Sequence, residues 1–493
     1  MTNTSIGAVP ESRRWLALAV IVAAQFMVVL DIAIVNVALP SIKTDLDFSE
    51  ASLQWVISAY AILFGGFLLL GGRLADILGR RRLFVTGLAL FSASSFLCGL
   101  AWSEGSLVAF RAAQGLGGAL LAPAALSILM TTFREGRERN LALGIWGAAS
   151  GSGAAAGVLV GGVLTSYLSW SWVFFINVPV GAAVIAVSPW LLRESRSVLS
   201  HRHFDIPGAT SITAGLMLLV YALTRAAESG WSNASTIVML VGSAALIAAF
   251  VAMELRSAAP LLPLRIFRLR TLSASNLSGL LMGAAIFSQF FLLTLYMQQV
   301  LHYSAIKTGV AYIGLTLTII AFSAVAQALT TRLGVRRVLS AGLAFSTVAL
   351  VLFARLPVHG SYFTDLFPAF IISGVGLALA FIPMSIGALT GVRQADAGIA
   401  SGLINTTQQI GGAIGVAAAT TIATTYTANY VSVHPGASAF GGSALTHGFQ
   451  IAFYVLAGVA ALGAVLAAVL VEAEPKAPEL EVAGEAVQIE AAA

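Results

Sequence analysis

Apolar runs about 20 residues long recur from Trp15 to beyond Leu470, separated by short segments that hold most of the charges. Each is long enough to cross a hydrocarbon core of roughly 30 Å as a helix. Bounded by charge, glycine or proline, the runs place helices near 15–40, 52–72, 82–102, 106–131, 140–166 and 172–191. Two more fall near 207–226 and 235–255, and a last six near 272–300, 306–330, 337–354, 364–390, 397–424 and 447–471. The expected fold is an all-α integral membrane protein with fourteen transmembrane helices. The first run is too long for a signal-peptide core and Asp31 interrupts it, so it reads as a membrane helix.

Composition removes the soluble alternatives. Of 493 residues 58% are hydrophobic and 10% are charged, against roughly 25% charged in soluble domains. With the amino terminus inside, 21 of the 26 Lys and Arg residues fall in cytoplasmic segments, which supports a cell (inner or plasma) membrane topology with both termini cytoplasmic. Lys43, Arg225, Lys307 and Arg355 lie outside and Arg111 lies within the membrane. The net charge of +5 then reflects topology, and arginines scattered over short loops form no stripe for nucleic acid. The single Cys98 sits in an apolar run and reads as packing. His302, His359, His434 and His447 lack metal-ligand spacing, and no phosphate-cradling loop of the G-x-x-x-x-G-K-S/T type occurs. No cofactor or metal is expected, and no cluster of nucleophile, base and orienter suggests an enzyme.

The chain repeats itself. Gly79, Arg81, Arg82 and Gly87 map onto Gly334, Arg336, Arg337 and Gly342 at one constant offset, and Gly115 and Gly117 echo Gly374 and Gly376, each pair shortly before a proline. Both basic turns fall on the same membrane side, so the repeat is parallel. The expected organisation is a cytoplasmic amino-terminal segment 1–14, a six-helix bundle 15–191, two inserted helices in 192–271, a second six-helix bundle 272–471 and an acidic solvated cytoplasmic tail 472–493. Parallel repeats around a midplane site suit alternating access by rocking of halves. The halves are unequal, because Thr331 stands in the place of Asp76 and Phe370 in or beside that of Arg111.

Chemistry is concentrated in the first half. Asp31 is an acid about nine residues, or roughly 13 Å, inside its expected helix end. Such a buried carboxyl can hold a proton and release it when a cation or water arrives, although a structural hydrogen bond is the plainer role. Arg111 lies about six residues inside the fourth helix, at similar depth. Unable to shed its charge, it needs a cavity or a partner, with snorkelling to the interface as the alternative. Gly79 with Arg80, Arg81 and Arg82 is explained in part by topology, but Asp76 is not; a carboxylate there can bind another helix's amino terminus and latch the inner face. Gly153, Gly157, Gly161 and Gly162 allow close helix packing, or a pivot between states. Asn36, Tyr60, Gln114, Tyr296, Gln298, Asn405 and Gln409 are candidates to line a substrate cavity, with interhelical hydrogen bonding and interface anchoring as the alternatives.

These features resemble the major facilitator superfamily, in its fourteen-helix branch of drug:proton antiporters, and the resemblance covers all fourteen expected helices. Leu30-Asp31-Ile32-Ala33-Ile34-Val35-Asn36-Val37-Ala38-Leu39-Pro40 is similar to that branch's first-helix signature, Arg73 to Arg82 to the superfamily loop between helices two and three, and Arg111-Ala112-Ala113-Gln114-Gly115 to the fourth-helix proton-transfer motif. The likeness implies proton coupling by Asp31 and Arg111 and a conformational switch at Asp76 and its arginines. Two places depart from it. Val158 stands where the antiporter motif has proline, and Ser171 where Trp-Arg-Trp has arginine.

The implied function is export of small lipophilic drugs or antibiotics, driven by inward proton flow, by a chain acting as a monomer in the lipid bilayer. Acids in helices nine to fourteen are absent at mid-depth, so neutral or singly charged substrates are expected. Proton-coupled transport of a specific metabolite, lipid or siderophore, in either direction, is the neighbouring alternative, and a non-transporting membrane sensor or scaffold the more distant one.

Overall fold

The computed structural model describes residues 11–472, apart from 49, 54, 135, 197–204, 258–259, 394–395, 435–437 and 439–440. The expectations for residues 1–10 and for the acidic tail from 473 onward lie outside the described residues. Among the described residues the chain is wholly helical. In order come α1 (Glu11–Asp45), α2 (Trp55–Leu78), α3 (Arg80–Gly99), α4 (Glu104–Thr132), α5 (Arg137–Tyr167) and α6 (Asn177–Leu191), the last preceded by a short turn Trp172–Phe175. Then follow α7 (Ile206–Ser229), α8 (Ala234–Glu254) and α9 (Arg270–Leu295), which tightens its end into the π-helical turn Tyr296–Val300. The run Ile306–Phe353 is divided at Gly334, whose φ of 81° and ψ of 162° break the helix, into α10 (306–333) and α11 (335–353). α12 (Phe367–Leu389), α13 (Ala397–Val433) and α14 (Gly442–Leu470) complete the chain.

Among the described residues eleven stretches are long and apolar enough to span a membrane, and the bent α5 makes twelve. Dividing the Gly334 run adds one, and α13, whose Asn, Thr and Gln side chains dilute its apolar character, brings the spans to fourteen. Several boundaries differ from the sequence expectation, among them the end of α2, at Leu78 instead of near 72, and the start of α14, at Gly442 instead of near 447. α1 runs past Pro40 to Asp45, so Asp31 lies fourteen residues from the helix end instead of about nine. A proline near a helix end removes one backbone bond, and beyond it the Thr44 hydroxyl donates to the carbonyls of Pro40 and Ser41. α13 likewise continues nine residues beyond the expected 424, to Val433.

Small residues set how closely the helices approach. On α5, Gly153, Gly157 and Gly161 lie against Val29, Leu30, Ala33 and Ile34 of α1. Gly144, Gly147 and Gly151 of the same helix face Gln327 and Ile319 of α10 and Ile382 of α12. α5 is therefore glycine-lined on both sides, one against its own bundle and one against the second half; Gly162 is also buried. Across the other seam Gly72 of α2 meets Gly398 and Gly402 of α13, backbone against backbone. α7 packs on α2, where Met217 and Val220 cover Gly66 and Gly65.

Candidate functional site

Asp31 of α1 is wholly buried, and so, at 1% exposure, is Arg111 of α4. Arg111 Nη1 donates to Asp31 Oδ2 at 2.7 Å. Gln114, one turn further along α4, donates from Nε2 to Asp31 Oδ1 at 2.8 Å and accepts from Arg111 Nη1 at 2.7 Å. The spacing is what a helix requires, since residues three apart share a face. A second amide, Asn177 Nδ2 at the start of α6, reaches the same Oδ1 at 2.8 Å and also donates to Ser95 Oγ of α3 at 3.0 Å. Ser95 in turn donates to the Phe174 carbonyl at 2.8 Å.

The guanidinium is held on its remaining sides by the protein. Arg111 Nε donates to the Val56 carbonyl at 3.0 Å, and the Tyr60 ring lies beneath the guanidinium carbon at 4.4 Å, a cation–π contact. Gly115 explains why α4 comes so near α2, because any side chain there would strike the Tyr60 backbone carbonyl. Cys98 is buried against this network, its thiol donating weakly to Gln114 Oε1 at 3.7 Å. A buried carboxylate that accepts from one cation and two amides is satisfied in its ionised form; parting it from Arg111 would leave two unpaired buried charges.

A second cluster lies at the Gly79 end of the bundle. Asp76, fully buried on α2, accepts from the backbone N–H groups of Gly398 at 3.2 Å and Ile399 at 3.3 Å in the first turn of α13. Those donors are the unpaired amides of a helix start, and the carboxylate meets the positive end of its dipole. Arg80 donates to Asp76 Oδ1 from Nη2 at 2.8 Å and Nε at 3.3 Å. Gly79 turns the chain between them with φ at 113°, a conformation open to glycine and costly for other residues. Beyond the turn, Glu194 accepts from the backbone N–H groups of Arg81 and Arg82, both at 3.2 Å, and so caps α3. The backbone N–H of Arg80 donates to the Ser195 carbonyl at 3.1 Å.

The repeat has a counterpart to this cluster. Gly334 takes a left-handed φ like Gly79, and Thr331, opposite Asp76 in the repeat, accepts from Asn140 Nδ2 near the start of α5 at 3.4 Å. Two seams therefore join the halves at this end, one through a buried carboxylate and one through a neutral hydrogen bond. Phe370, near the place of Arg111 in the repeat, packs between Tyr312 and Phe353.

The residues expected around a cavity divide. Tyr60 and Gln114 belong to the Asp31 network instead. Tyr296 is buried and donates to the Pro357 carbonyl at 2.6 Å, a tie at the end of α9. Asn36 is exposed on α1 and bonds back to the Ile32 carbonyl; Asn405 does the same to Ser401; Gln298 and Gln409 are half-buried. Sequence reasoning assigned no role to Asn177, Ser95, Glu194 or Ser195. Asn177 is a lone amide at the start of an otherwise apolar run, and the other three carried no signal.

The family described as Major Facilitator Superfamily matches residues 21–416. The chain is 40% identical over 473 residues, 95% of its length and 94% of the relative's, to the puromycin resistance protein pur8 of Streptomyces alboniger. It is 41% identical to the cephamycin export protein CmcT of Amycolatopsis lactamdurans, over 82% of this chain and 84% of that one. With the tetracenomycin C resistance and export protein of Streptomyces glaucescens it shares 33% identity, over 83% and 75% of the two chains. Among solved structures, the human organic anion transporter MFSD10 (TETRAN) has a similar fold, with a TM-score of 0.64 at 16% identity, over 93% of this chain and all of that one.

Proposed function

This chain belongs to the major facilitator superfamily of membrane transporters, and from that membership we propose that it exports small lipophilic drugs or antibiotics in exchange for protons. The relatives named for puromycin, cephamycin and tetracenomycin C support a small antibiotic as cargo. The observation that carries the coupling is the buried Asp31–Arg111 pair with its two amide donors. Separating such a pair costs about 3–5 kcal/mol while both partners are charged. A proton on Asp31 removes one of the charges, so proton binding and movement of α1 relative to α4 are linked.

In this proposal the bundles 15–191 and 272–471 rock about the midplane, carrying the inserted helices of 192–271 with them, in the inner membrane with both termini cytoplasmic. The glycine face Gly153, Gly157, Gly161 and Gly162 is a pivot inside the first bundle, where α1 moves on α5, and not the contact between the bundles. Asp76 with Gly79, Arg80, Arg81 and Arg82 is the cytoplasmic gate, closed while Asp76 holds the start of α13. Asn36, Gln298, Asn405 and Gln409 face cargo. That cargo is neutral or singly charged, because the acids of 272–471 are Asp365 and Asp396, both at helix ends.

The test is uphill flux in proteoliposomes under an imposed pH gradient, with a panel of lipophilic substrates, comparing wild type with Asp31→Asn. The amide variant should lose accumulation against a gradient while keeping its fold. Uphill flux at the wild-type rate in that variant would show that the coupling is elsewhere.

A further inference from the structure

We infer that Asn177 is a positioning residue that sets how readily Asp31 takes up a proton; the inference rests on the proton-coupling role proposed above. Three features lead to it. Its amide donates to Asp31 Oδ1 at 2.8 Å and to Ser95 Oγ at 3.0 Å, so the side chain is held from two helices, and it is 99% buried. Its own carbonyl oxygen accepts no hydrogen bond among the described residues, whereas that of Gln114 is committed to Arg111 and Cys98. Asn177 also lines an apolar cavity of about 590 Å³ between α1, α5 and α6, whose walls include Phe26, Leu30, Ile145 and Ala149, and no other member of the network does.

A primary amide offers both donors and an acceptor. Facing the carboxylate, as in this structure, Asn177 stabilises the ionised form. When a proton arrives from water on the outer side and binds Oδ1, rotating the amide by half a turn brings its oxygen to accept from the new O–H. Either form of the carboxyl thus keeps a hydrogen-bond partner at Asn177 without a helix moving. The other charged or titratable groups facing Asp31 are Arg111 on α4, Tyr60 on α2 and Cys98 on α3. α6 carries no charged residue, and those of α5 lie in its first turn, at Arg137, Glu138 and Arg139.

The test measures proton release evoked by puromycin from detergent-solubilised protein across pH, for wild type, Asn177→Leu, Asn177→Gln and Ser95→Ala, with Asp31→Asn alongside. Losing one donor to a charged acceptor moves the midpoint to higher pH by about one unit. Asn177→Leu should show that shift, Asn177→Gln should largely reverse it, and Ser95→Ala, which frees the amide without removing it, should give a smaller shift in the same direction. Wild-type midpoints in both Asn177→Leu and Ser95→Ala, with monodisperse folded protein, overturn the inference. If Asn177→Leu does not fold, an unchanged midpoint in Ser95→Ala alone overturns it. Proton release that persists in Asp31→Asn instead removes the coupling role on which the inference stands, so the two failures are told apart.

Discussion

Replacing Asp76 by Asn changes one atom and should move the whole gate. In the structure the two carboxylate oxygens accept from Gly398 N, Ile399 N and the Arg80 guanidinium. An amide keeps one acceptor, so one of the two amides at the start of α13 loses its partner, and Arg80 loses its counter-charge. A hydrogen bond to a charged acceptor contributes about 1.5–3 kcal/mol against about 0.5–1.5 for a neutral one, and a charge at a helix start adds a few tenths to about 2 kcal/mol. Arg80 Nη1 retains its contact with Ser195 Oγ at 3.4 Å, which limits its loss. A net weakening of about 2–3 kcal/mol follows, or roughly a 30- to 150-fold change in the ratio of closed to open gate at about 1.4 kcal/mol per decade. Spin labels at Leu78 and Arg393, both half or more exposed near the two sides of this seam, would report it as a longer distance population by double electron–electron resonance. An unchanged distance distribution together with wild-type flux would refute the latch.

Two further substitutions separate packing from chemistry. Tyr60→Phe should leave stability and flux within about 0.5 kcal/mol of wild type, since the hydroxyl is buried without a partner among the described residues, whereas Tyr60→Leu should lose about 0.5–2 kcal/mol of support for Arg111 and much of the uphill flux; thermal melts and proteoliposome flux measure both. Gly157→Ala puts a methyl 2.7 Å from the Leu30 carbonyl oxygen and 2.8 Å from Ala33 Cβ, so overpacking of about 1–3 kcal/mol should lower the melting temperature and slow turnover, and an unaltered melt would mean that α1 yields freely.

The spans were legible because membrane insertion forces an apolar run at every crossing, and the runs coincide with the helices to within a few residues at most ends. Where they do not, a local rule was overridden: Pro40 did not end α1, and the polar side chains of α13 did not shorten it. Asp31 and Arg111 stood out as isolated charges in apolar sequence, and equal depth hinted that they meet. Their amide partners did not stand out. Asn177 is 146 residues from Asp31 and Glu194 is 113 from Arg81, and no periodicity reports a contact made only by the folded bundle. Tyr60 and Tyr296 had the same ambiguity: an aromatic in a membrane helix looks alike whether it faces a cavity, a cation or a carbonyl.

The charged seam at Asp76 and the neutral one at Thr331 divide the labour of separation unevenly. Parting α2 from α13 uncovers an ionised carboxylate and a guanidinium, whereas parting α5 from α10 breaks one long bond between uncharged groups and slides one glycine face. Under the proposed rocking of the bundles, added salt should therefore ease opening of the α2–α13 seam, whose uncovered charges it screens, and hardly affect the α5–α10 seam.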